Sequence, residues 1–272
     1  MPELPEVETT RRGIERAASG ARVRELRVYD HRLRWPIERE LSARIAGERL
    51  LGVGRRAKYL LLTLEHGTLI LHLGMSGSLR VLPADTPLRK HDQFDLLLES
   101  GSTLRLNDPR RFGSLHYTAE DPSQHRLLRA LAPEPFDAAF DAEYLRRITR
   151  GRRAAIKQVL MNGRLVTGVG NIYASEALFR ARINPRRAAG RLSRAECARL
   201  VRAVRAALTA AIRAGGTTLR DYVGTDGNPG AFRQRLYVYE RDGQRCRVCG
   251  TLIRKITQGQ RSSYFCRTCQ HT

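Results

Sequence analysis

Met1-Pro2-Glu3-Leu4-Pro5-Glu6-Val7-Glu8 opens the chain and places a proline at the second position beside a cluster of carboxylates. If Met1 is removed, as a small second residue favours, the chain begins with a secondary amine. The pKa of an α-amino group is about 8, against about 10.4 for a lysine, so more of it is free base at neutral pH. Such an amine can attack a sugar C1′ or a carbonyl carbon and form an iminium ion, with Glu3 near enough in sequence to exchange protons.

The same stretch also predicts a helix over residues 3–18, with apolar side chains at Leu4, Val7, Ile14 and Ala18. Proline is tolerated in a first helical turn, and acidic side chains there are favoured by the helix dipole. From residue types alone the structural interpretation of the opening carboxylates is the more common one. The rest of the chain has to decide between these two interpretations.

The composition is that of a folded and strongly basic protein. The chain has 272 residues, 42% of them hydrophobic, which suits one large domain or two ordinary ones. Its formal net charge is +22 and its pI is about 11.0. Because the basic residues are spread along the chain, we expect a polyanionic partner and favour nucleic acid over an anionic membrane. We find no long apolar run and no secretory signal, so a cytoplasmic protein is expected.

Two kinds of pattern divide the chain. Short alternating apolar segments predict strands in the first half, at 21–29, 57–64, 68–73, 94–99 and 103–106. They indicate an antiparallel sandwich or barrel with one or two flanking helices, and a further short helix is predicted at 125–131. Capping and stop signals predict helices in the second half, at 141–147, 153–161, 171–183 and from Ser193 to Gly215.

The most specific pattern is a pair of CxxC motifs at the C-terminus. Cys246-Arg247-Val248-Cys249 and Cys266-Arg267-Thr268-Cys269 are separated by sixteen residues, with a hairpin turn predicted at Gln258-Gly259-Gln260. This spacing predicts a tetrahedral Cys₄ zinc ribbon. Two disulfides or a redox pair are the alternatives, but the absence of a secretory signal disfavours disulfides. Four thiolates leave no open position, so the zinc should be structural and the ribbon should need it to fold.

Several loops carry residue types that suit contact with DNA. Asp108-Pro109-Arg110-Arg111-Phe112 offers two cations and an aromatic ring, and Met75 is an apolar side chain on another predicted loop. Val169-Gly170-Asn171-Ile172-Tyr173 leads into a helix whose N-terminus can hold a phosphate. Arg261 follows the ribbon turn and can pair with a phosphate too. Taken singly, the 108–112 loop and Met75 are more often explained by packing than by DNA contact, and Arg261 is equally well explained as a solvated side chain.

In combination, these motifs resemble the bacterial formamidopyrimidine-DNA glycosylase family from end to end. The matching stretches, beside the four-cysteine ribbon, are residues 2–8, 56–60, 72–77, 108–113, 168–176 and 215–219. The related endonuclease VIII branch typically carries glycine where this chain has Leu4. The resemblance therefore favours the branch that acts on oxidised purines.

The family resemblance implies an α+β fold. It has an N-terminal antiparallel β-sandwich with flanking helices and a C-terminal helical domain that contains a helix-two-turns-helix motif and a Cys₄ zinc ribbon. The implied limits are 1–132 for the catalytic sandwich, 133–141 for a linker, 142–236 for the helical domain with a lesion-recognition loop, and 237–272 for the ribbon.

The implied activity is that of a base-excision-repair DNA glycosylase with AP lyase activity. Pro2 would attack C1′ of a flipped 8-oxoguanine or formamidopyrimidine nucleotide, and β,δ-elimination would then leave a one-nucleotide gap. The catalytic residues carried over are Pro2, Glu3, Lys58 and Arg261, with Glu6 supporting the site. The residues carried over for DNA contact are His72, Met75, Arg110, Phe112, Lys157 and Asn171. Residues 217–222 would lie near the flipped base.

The resemblance also implies one structural Zn²⁺, held by Cys246, Cys249, Cys266 and Cys269. The expected partner is duplex DNA with an oxidised base or an abasic site. The protein is expected to act as a monomer, associated with the nucleoid in a bacterial cytoplasm. Two other functions stay open: an endonuclease VIII-like glycosylase for oxidised pyrimidines, and a non-catalytic zinc-ribbon DNA-binding protein. A substrate panel would test the first, and a covalent intermediate would exclude the second.

Overall fold

The structure is a computed structural model that describes residues 2–217 and 232–271. The chain divides into two compact units, one of residues 1–129 and 212–233 and the other of residues 130–211 and 234–272. The predicted domain limits stay predictions, because these units follow spatial contacts and group 212–233 with the N-terminal half. Within the described ranges, no helix combines the length and the apolar character that a membrane crossing requires.

The first unit contains two antiparallel four-stranded sheets. In chain order the strands are β1 (Val23–Val28), β2 (Leu50–Arg56), β3 (Tyr59–Leu64), β4 (Thr68–His72), β5 (Ser78–Pro83), β6 (Asp92–Leu98), β7 (Ser102–Asn107) and β8 (Ser114–Thr118). One sheet has the order β1-β6-β7-β5 and the other the order β2-β3-β4-β8. His66-Gly67 and Ser100-Gly101 lie in the turns that join predicted neighbouring strands into antiparallel hairpins, and the predicted antiparallel β-sandwich is confirmed.

A single apolar core joins the two sheets and the first helix, α1 (Leu4–Ala18). Alternate residues of β3, Leu60, Leu62 and Leu64, are buried, as expected when one face of a strand packs inward. Helix α1 adds Val7 and Ile14, which are seven residues apart and so lie on one helical face. A short second helix, α2 (Leu41–Ile45), also buries its apolar side chains in this core.

A buried ion pair links two neighbouring strands of the β1-β6-β7-β5 sheet. Arg105 on β7 lies opposite Asp95 on β6, and both of its hydrogen bonds to that carboxylate are 2.7 Å long. Its remaining nitrogen donates to the carbonyl oxygens of Thr86 and Pro87, and the Tyr29 hydroxyl donates to the same Asp95 carboxylate at 2.8 Å. The arginine is only 2% exposed, so water cannot take its place as the hydrogen-bond partner of the Asp95 carboxylate.

We expect Arg105→Met to lower the free energy of unfolding by about 3–5 kcal/mol, because it leaves the Asp95 carboxylate buried without its cation. Arg27→Ala is the matched control. It breaks an exposed pair with Glu25 and should cost no more than about 1 kcal/mol. Denaturant unfolding at neutral pH measures both effects. Equal losses in the two variants would show that the buried pair contributes no more than a surface pair.

The second unit is helical. Its helices are α3 (Ala142–Thr149), α4 (Ile156–Leu160), α5 (Asn171–Arg180) and most of α6 (Arg194–Arg213). Asp141 caps α3 by accepting a hydrogen bond from the Tyr144 N–H at 2.7 Å. Ser193 and Glu196 each accept the other's backbone N–H, which confirms the predicted capping box at the start of α6.

The ribbon at the end of the second unit is a two-stranded hairpin of β9 (Arg254–Gln258) and β10 (Arg261–Phe265). The hairpin turn was predicted at this point. Phe179 of α5 joins the ribbon's small core of buried apolar side chains. Glu176, also on α5, is 1% exposed and accepts the backbone N–H groups of residues 237–239 at 2.9–3.0 Å. Burial raises the pKa of Glu176 despite these hydrogen bonds. Helix α5 therefore anchors the chain that leads into the ribbon.

The sequence patterns missed some elements. Strands β2, β5 and β8 and helix α2 were not predicted, and Ala57 and Lys58 lie in a turn rather than in the predicted strand. The helix predicted at 125–131 is wrong. That segment follows a short 3₁₀ helix, Pro122–Gln124, and consists of turns, such as the one closed by the Leu128 N–H donating to the His125 carbonyl at 2.8 Å.

Candidate active site and nucleic-acid interface

The start of α1 is a buried carboxylate site. Pro2 is buried, and Glu3 and Glu6 are each 1% exposed. The Glu6 carboxylate accepts the Glu3 N–H at 2.8 Å, as the third residue of a capped helix does. Its other oxygen accepts the Thr217 N–H, also at 2.8 Å. Glu6 therefore fixes the helix start and joins it to Thr217. The predicted lesion loop continues into residues 218–222, which lie outside the described residues.

Lys58 lies in a two-residue turn, Ala57–Lys58, between β2 and β3. Arg55 holds this turn by donating to the Ala57 carbonyl at 2.9 Å. The same guanidinium donates to Glu8 of α1 at 3.1 Å. Through Arg55, the helix that begins beside Pro2 therefore stabilises the turn that contains Lys58. Glu8, Arg55 and Ala57 all belong to the first unit.

His72, the last residue of β4, is a neutral hydrogen-bond donor. Burial, and then the charges of Lys58 and Arg34, lower its pKa to about 4. Its Nδ1 lies 3.0 Å from the Gly74 N–H, which requires Nδ1 to accept and places the ring proton on Nε2. At neutral pH the imidazole can therefore donate Nε2–H to a phosphate oxygen without carrying a charge.

Lowering the pH should destabilise the fold through His72. Its folded pKa of about 4 is below the ordinary 6.5, so the unfolded chain takes up the proton first as the pH falls. The stability due to this group is complete above the ordinary pKa and is lost towards pH 4, by roughly 3 kcal/mol at most. Denaturant unfolding of wild type and His72→Gln across this range measures the effect. Equal pH dependence in the two proteins would exclude His72 as the cause.

Two adjoining segments of the first unit present Met75, Arg110 and Phe112, three of the side chains predicted to contact DNA. Phe112 is 42% exposed and lies next to two arginines in the chain. The guanidinium carbon of Arg110 lies 4.8 Å from the centre of the Phe112 ring. Met75 is half-buried in the turn that follows β4. An exposed ring flanked by cations has the character of an apolar wedge for a base stack.

In the second unit, Asn171 is the first residue of α5, after a glycine N-cap, and its side-chain oxygen is buried with no hydrogen-bond partner in the part of the chain that the structure describes. Arg261 is exposed at the start of β10.

Lys157, predicted to contact DNA, is 1% exposed. Its ammonium donates to the Ser262 carbonyl and the Ser263 hydroxyl, each at 2.8 Å, and so holds the strand that begins with Arg261.

The four ribbon cysteines form one cluster. Their sulfur atoms all lie within 4.8 Å of one another. Cys246 and Cys269 are 3.9 Å apart and Cys249 and Cys266 are 3.4 Å apart, both far longer than the roughly 2.05 Å of a disulfide bond. Tetrahedral zinc with Zn–S bonds of about 2.3 Å needs sulfurs about 3.8 Å apart, which this cluster fits. The predicted zinc site is confirmed, and Cys197 lies apart from it, buried in α6.

Left-handed backbone recurs beside the predicted DNA contacts. Among the described residues six non-glycine residues have a positive φ, and three of them adjoin these contacts. They are Ala57 (φ 56°) before Lys58, Arg111 (φ 54°) between Arg110 and Phe112, and Gln260 (φ 61°) before Arg261. L-residues rarely adopt this conformation, and where they do the surrounding structure has to hold it.

Several supporting residues were not assigned a role from the sequence. Glu8 and Arg55 brace the Lys58 turn, and Glu176 holds the entry to the ribbon. Asp108 is fully buried although it lies in a loop. An aspartate at the start of the Asp108–Gly113 motif was the available sequence signal for this role. A buried carboxylate requires several hydrogen-bond donors, and a loop can supply them from its backbone. The partners themselves are distant in sequence and leave no local pattern.

Comparisons with known proteins agree over the whole chain. Family models match the N-terminal domain of formamidopyrimidine-DNA glycosylase at residues 1–115, its H2TH domain at 131–223, and a zinc finger found in FPG and IleRS at 243–272. A formamidopyrimidine-DNA glycosylase of Thioalkalivibrio sulfidiphilus is 58% identical over 99% of this chain and 100% of its own length.

Two solved structures of the Lactococcus lactis protein superpose closely on this chain. One is a variant in complex with a Fapy-dG containing DNA, at 32% identity and a TM-score of 0.93. The other is a complex with an abasic site containing DNA, at 31% identity and a TM-score of 0.93. Both cover 100% of each chain.

Proposed function

Because this chain belongs to the formamidopyrimidine-DNA glycosylase family, we propose that it removes oxidised purines from duplex DNA and then cleaves the strand at the abasic site. Its substrates are 8-oxoguanine and formamidopyrimidine nucleotides, and its process is base-excision repair. The Lactococcus lactis complexes with Fapy-dG and abasic-site DNA support this substrate class. The protein acts as a monomer in the cytoplasm and meets its substrate on the nucleoid.

The main structural support for the proposal is the buried pair of glutamates beside Pro2 at the start of α1. A chain that begins at Pro2 has a secondary amine beside two carboxylates that are each 1% exposed. Glu6 is committed to backbone N–H groups on both sides, which holds the helix start in place. A buried amine with a carboxyl group beside it has what Schiff-base chemistry at a sugar carbon requires.

The chemistry begins when the Pro2 nitrogen lone pair forms a bond to C1′ and the C1′–N9 bond breaks, with its electrons leaving on the base. Glu3 protonates the departing base, and the carboxylate that results takes up the N–H proton of the alkylated Pro2 nitrogen, which restores the nitrogen lone pair. Glu3 then passes that proton to O4′ as the C1′–O4′ bond breaks and the nitrogen lone pair forms the iminium ion. Loss of a C2′ proton breaks the C3′–O bond and expels the 3′-phosphate, and loss of the C4′ proton breaks the C5′–O bond and expels the 5′-phosphate. Hydrolysis of the remaining iminium ion frees Pro2 and leaves a one-nucleotide gap.

Residues in both units hold the DNA backbone in this proposal. Lys58 and His72 supply an ammonium and a neutral N–H donor in the first unit. Asn171 and Arg261 supply an amide and a guanidinium in the second unit. Met75, Arg110 and Phe112 enter the base stack, fill the place of the flipped nucleotide and contact the orphan cytosine.

Lys157 supports DNA binding from inside the second unit, through the strand that carries Arg261. Lys157→Met should weaken binding to lesion DNA about tenfold, and by less than about twofold when Arg261 is already alanine. Lys255→Met, at an exposed lysine of β9, is the matched control and should change binding less than about threefold. Fluorescence anisotropy at fixed salt measures all four variants. An undiminished effect in the Arg261→Ala background would mean that Lys157 acts independently of Arg261.

Cys246, Cys249, Cys266 and Cys269 hold the zinc, which supplies structural cross-linking of the ribbon and takes no part in the reaction. In this proposal the chain works as a catalytic sandwich, a linker, a helical domain and a ribbon. The ribbon's task is to present Arg261 on a short rigid hairpin.

Strand cleavage of defined duplexes tests the function. Duplexes with 8-oxoguanine, formamidopyrimidine guanine or dihydrothymine opposite cytosine or adenine would be incubated with protein that lacks Met1. We expect cleavage of the two oxidised purines with phosphate at both new ends. Preference for dihydrothymine would instead support the endonuclease VIII-like function. Lesion-specific binding without cleavage would support the non-catalytic zinc-ribbon DNA-binding protein.

A further inference from the structure

Two segments of the first unit, the turn 74–77 and the loop 108–113, are joined by one buried carboxylate. We propose that Asp108 is a positioning residue that makes them a single preassembled wedge. The turn carries Met75 and the loop carries Arg110 and Phe112, so the three side chains would enter a base stack as one body. This inference rests on the proposed function and adds to it how the wedge is built.

The Asp108 side chain contacts both segments. Its Oδ1 accepts the Ser76 hydroxyl at 2.7 Å, and Ser76 belongs to the turn. Within the loop, Oδ1 also accepts the Arg110 N–H at 3.3 Å and Oδ2 accepts the Gly113 N–H at 2.8 Å. Asp108 is 0% exposed, so these donors rather than water satisfy the carboxylate. The Arg110 N–H also lies 3.3 Å from the Ser76 oxygen, which adds a second link between the segments.

The backbones of the two segments are in direct contact as well. A Cβ atom at Gly74 would lie 2.5 Å from the Gly113 nitrogen and 2.5 Å from the Phe112 carbonyl carbon. No side chain fits there, and Gly74 also has a φ of 64°. The turn and the loop therefore pack without a gap at the base of the Phe112 side chain.

The main chain of Asp108 holds the wedge on the sheet. Its N–H donates to the His91 carbonyl at 3.0 Å, and its carbonyl accepts the Gln93 side-chain amide at 3.0 Å. These contacts lie at the start of β6, in the sheet that forms half of the sandwich. The left-handed Arg111 sits inside this frame, so its backbone conformation is held by bonds on either side.

Preassembly has a functional consequence. Side chains that must order at the moment of binding lose conformational entropy, and a fixed wedge avoids much of that loss. If Asp108 couples the segments, the contributions of Met75 and Phe112 to lesion binding depend on each other through the protein. A buried aspartate that merely stabilises its own loop would produce no such dependence on Ser76.

A double-mutant cycle at Met75 and Phe112 tests the coupling. Met75→Ala, Phe112→Ala and the double variant would be made in wild type and in Ser76→Ala, which removes the link to Asp108 but leaves the carboxylate. The probe is a duplex with tetrahydrofuran, a stable abasic analogue, opposite cytosine, compared with undamaged duplex. Ser78→Ala, at another buried serine two residues along the chain, is the matched control. Thermal unfolding and zinc content confirm that each variant is folded.

In wild type we expect coupling between the two sites. The fold-loss of affinity in the double variant should be at least about fivefold smaller than the product of the fold-losses in the two single variants. In Ser76→Ala the losses should multiply to within about twofold, and Ser78→Ala should behave as wild type. Additive losses in wild type, or a coupling that survives Ser76→Ala, would overturn the inference, since coupling through the DNA alone would survive. Wild type that does not distinguish the lesion duplex would instead refute the proposed function.

Discussion

Retention of Met1 should abolish the covalent trapping of lesion DNA by borohydride. The Pro2 nitrogen is then part of an amide, its lone pair is delocalised into the carbonyl, and it cannot form an iminium ion. Loss of a nucleophile that works with a partner group commonly lowers the rate by about a thousandfold or more, and we expect at least that here. The measurement is the rate of trapping on a duplex with 8-oxoguanine opposite cytosine, with the processed and unprocessed chains side by side.

Pro2→Gly is the informative control for this experiment. Once Met1 is removed it presents a primary amine in the same place, so it should still be trapped, although more slowly. Both variants should bind a tetrahydrofuran duplex, because the DNA contacts proposed elsewhere in the chain are unchanged. Trapping of the unprocessed chain at the wild-type rate would exclude Pro2 and direct attention to a lysine amine such as that of Lys58.

Zinc removal should eliminate lesion binding. Each chain should contain one zinc ion, and a strong chelator should release it and lower the affinity for lesion DNA by more than about a hundredfold. Structural zinc contributes on the order of 10 kcal/mol to the folding of small zinc domains, so the ribbon that carries Arg261 should unfold without it. Metal analysis of purified protein and anisotropy before and after chelation give the two quantities.

Single cysteine variants make the zinc prediction site-specific. Cys249→Ala removes one of the four clustered sulfurs and should reproduce the effect of the chelator. Cys197→Ala changes the fifth cysteine, which is buried in α6, and should keep both its zinc and its DNA binding. Protein purified without metal that still binds lesion DNA tightly would show that the ribbon does not depend on zinc.

The sequence predicted the fold class because its strongest signals are local. CxxC spacing, the Ser193 to Glu196 capping box and alternating leucines each report on a few neighbouring residues, and all three are confirmed. Strand β2 was missed because Gly52 and Gly54 interrupt its pattern, and glycine is depleted in strands. The helix predicted at 125–131 was wrong because its short leucine-rich run forms successive turns instead.

The candidate site was predictable only as far as motifs reach. Pro2, Glu3 and Arg261 were singled out by residue type and position, and their roles stay predictions. The contacts that hold the site were not predictable, because Asp108 and Ser76 are 32 residues apart and Glu6 and Thr217 are 211 apart. Lys157 illustrates the difference, since the family resemblance implied DNA contact while its ammonium lies inside the second unit.

The left-handed residues beside Lys58, Phe112 and Arg261 have a consequence for how this protein tolerates mutation. In a scan of every substitution at every position, Ala57 and Gln260 should accept glycine or asparagine and reject valine and isoleucine, whatever the charge or size of the original side chain. Such positions would appear as functional hotspots although their side chains have no assigned contact with substrate. A substitution that disfavours a positive φ at these positions would therefore reduce repair activity although it changes no catalytic side chain.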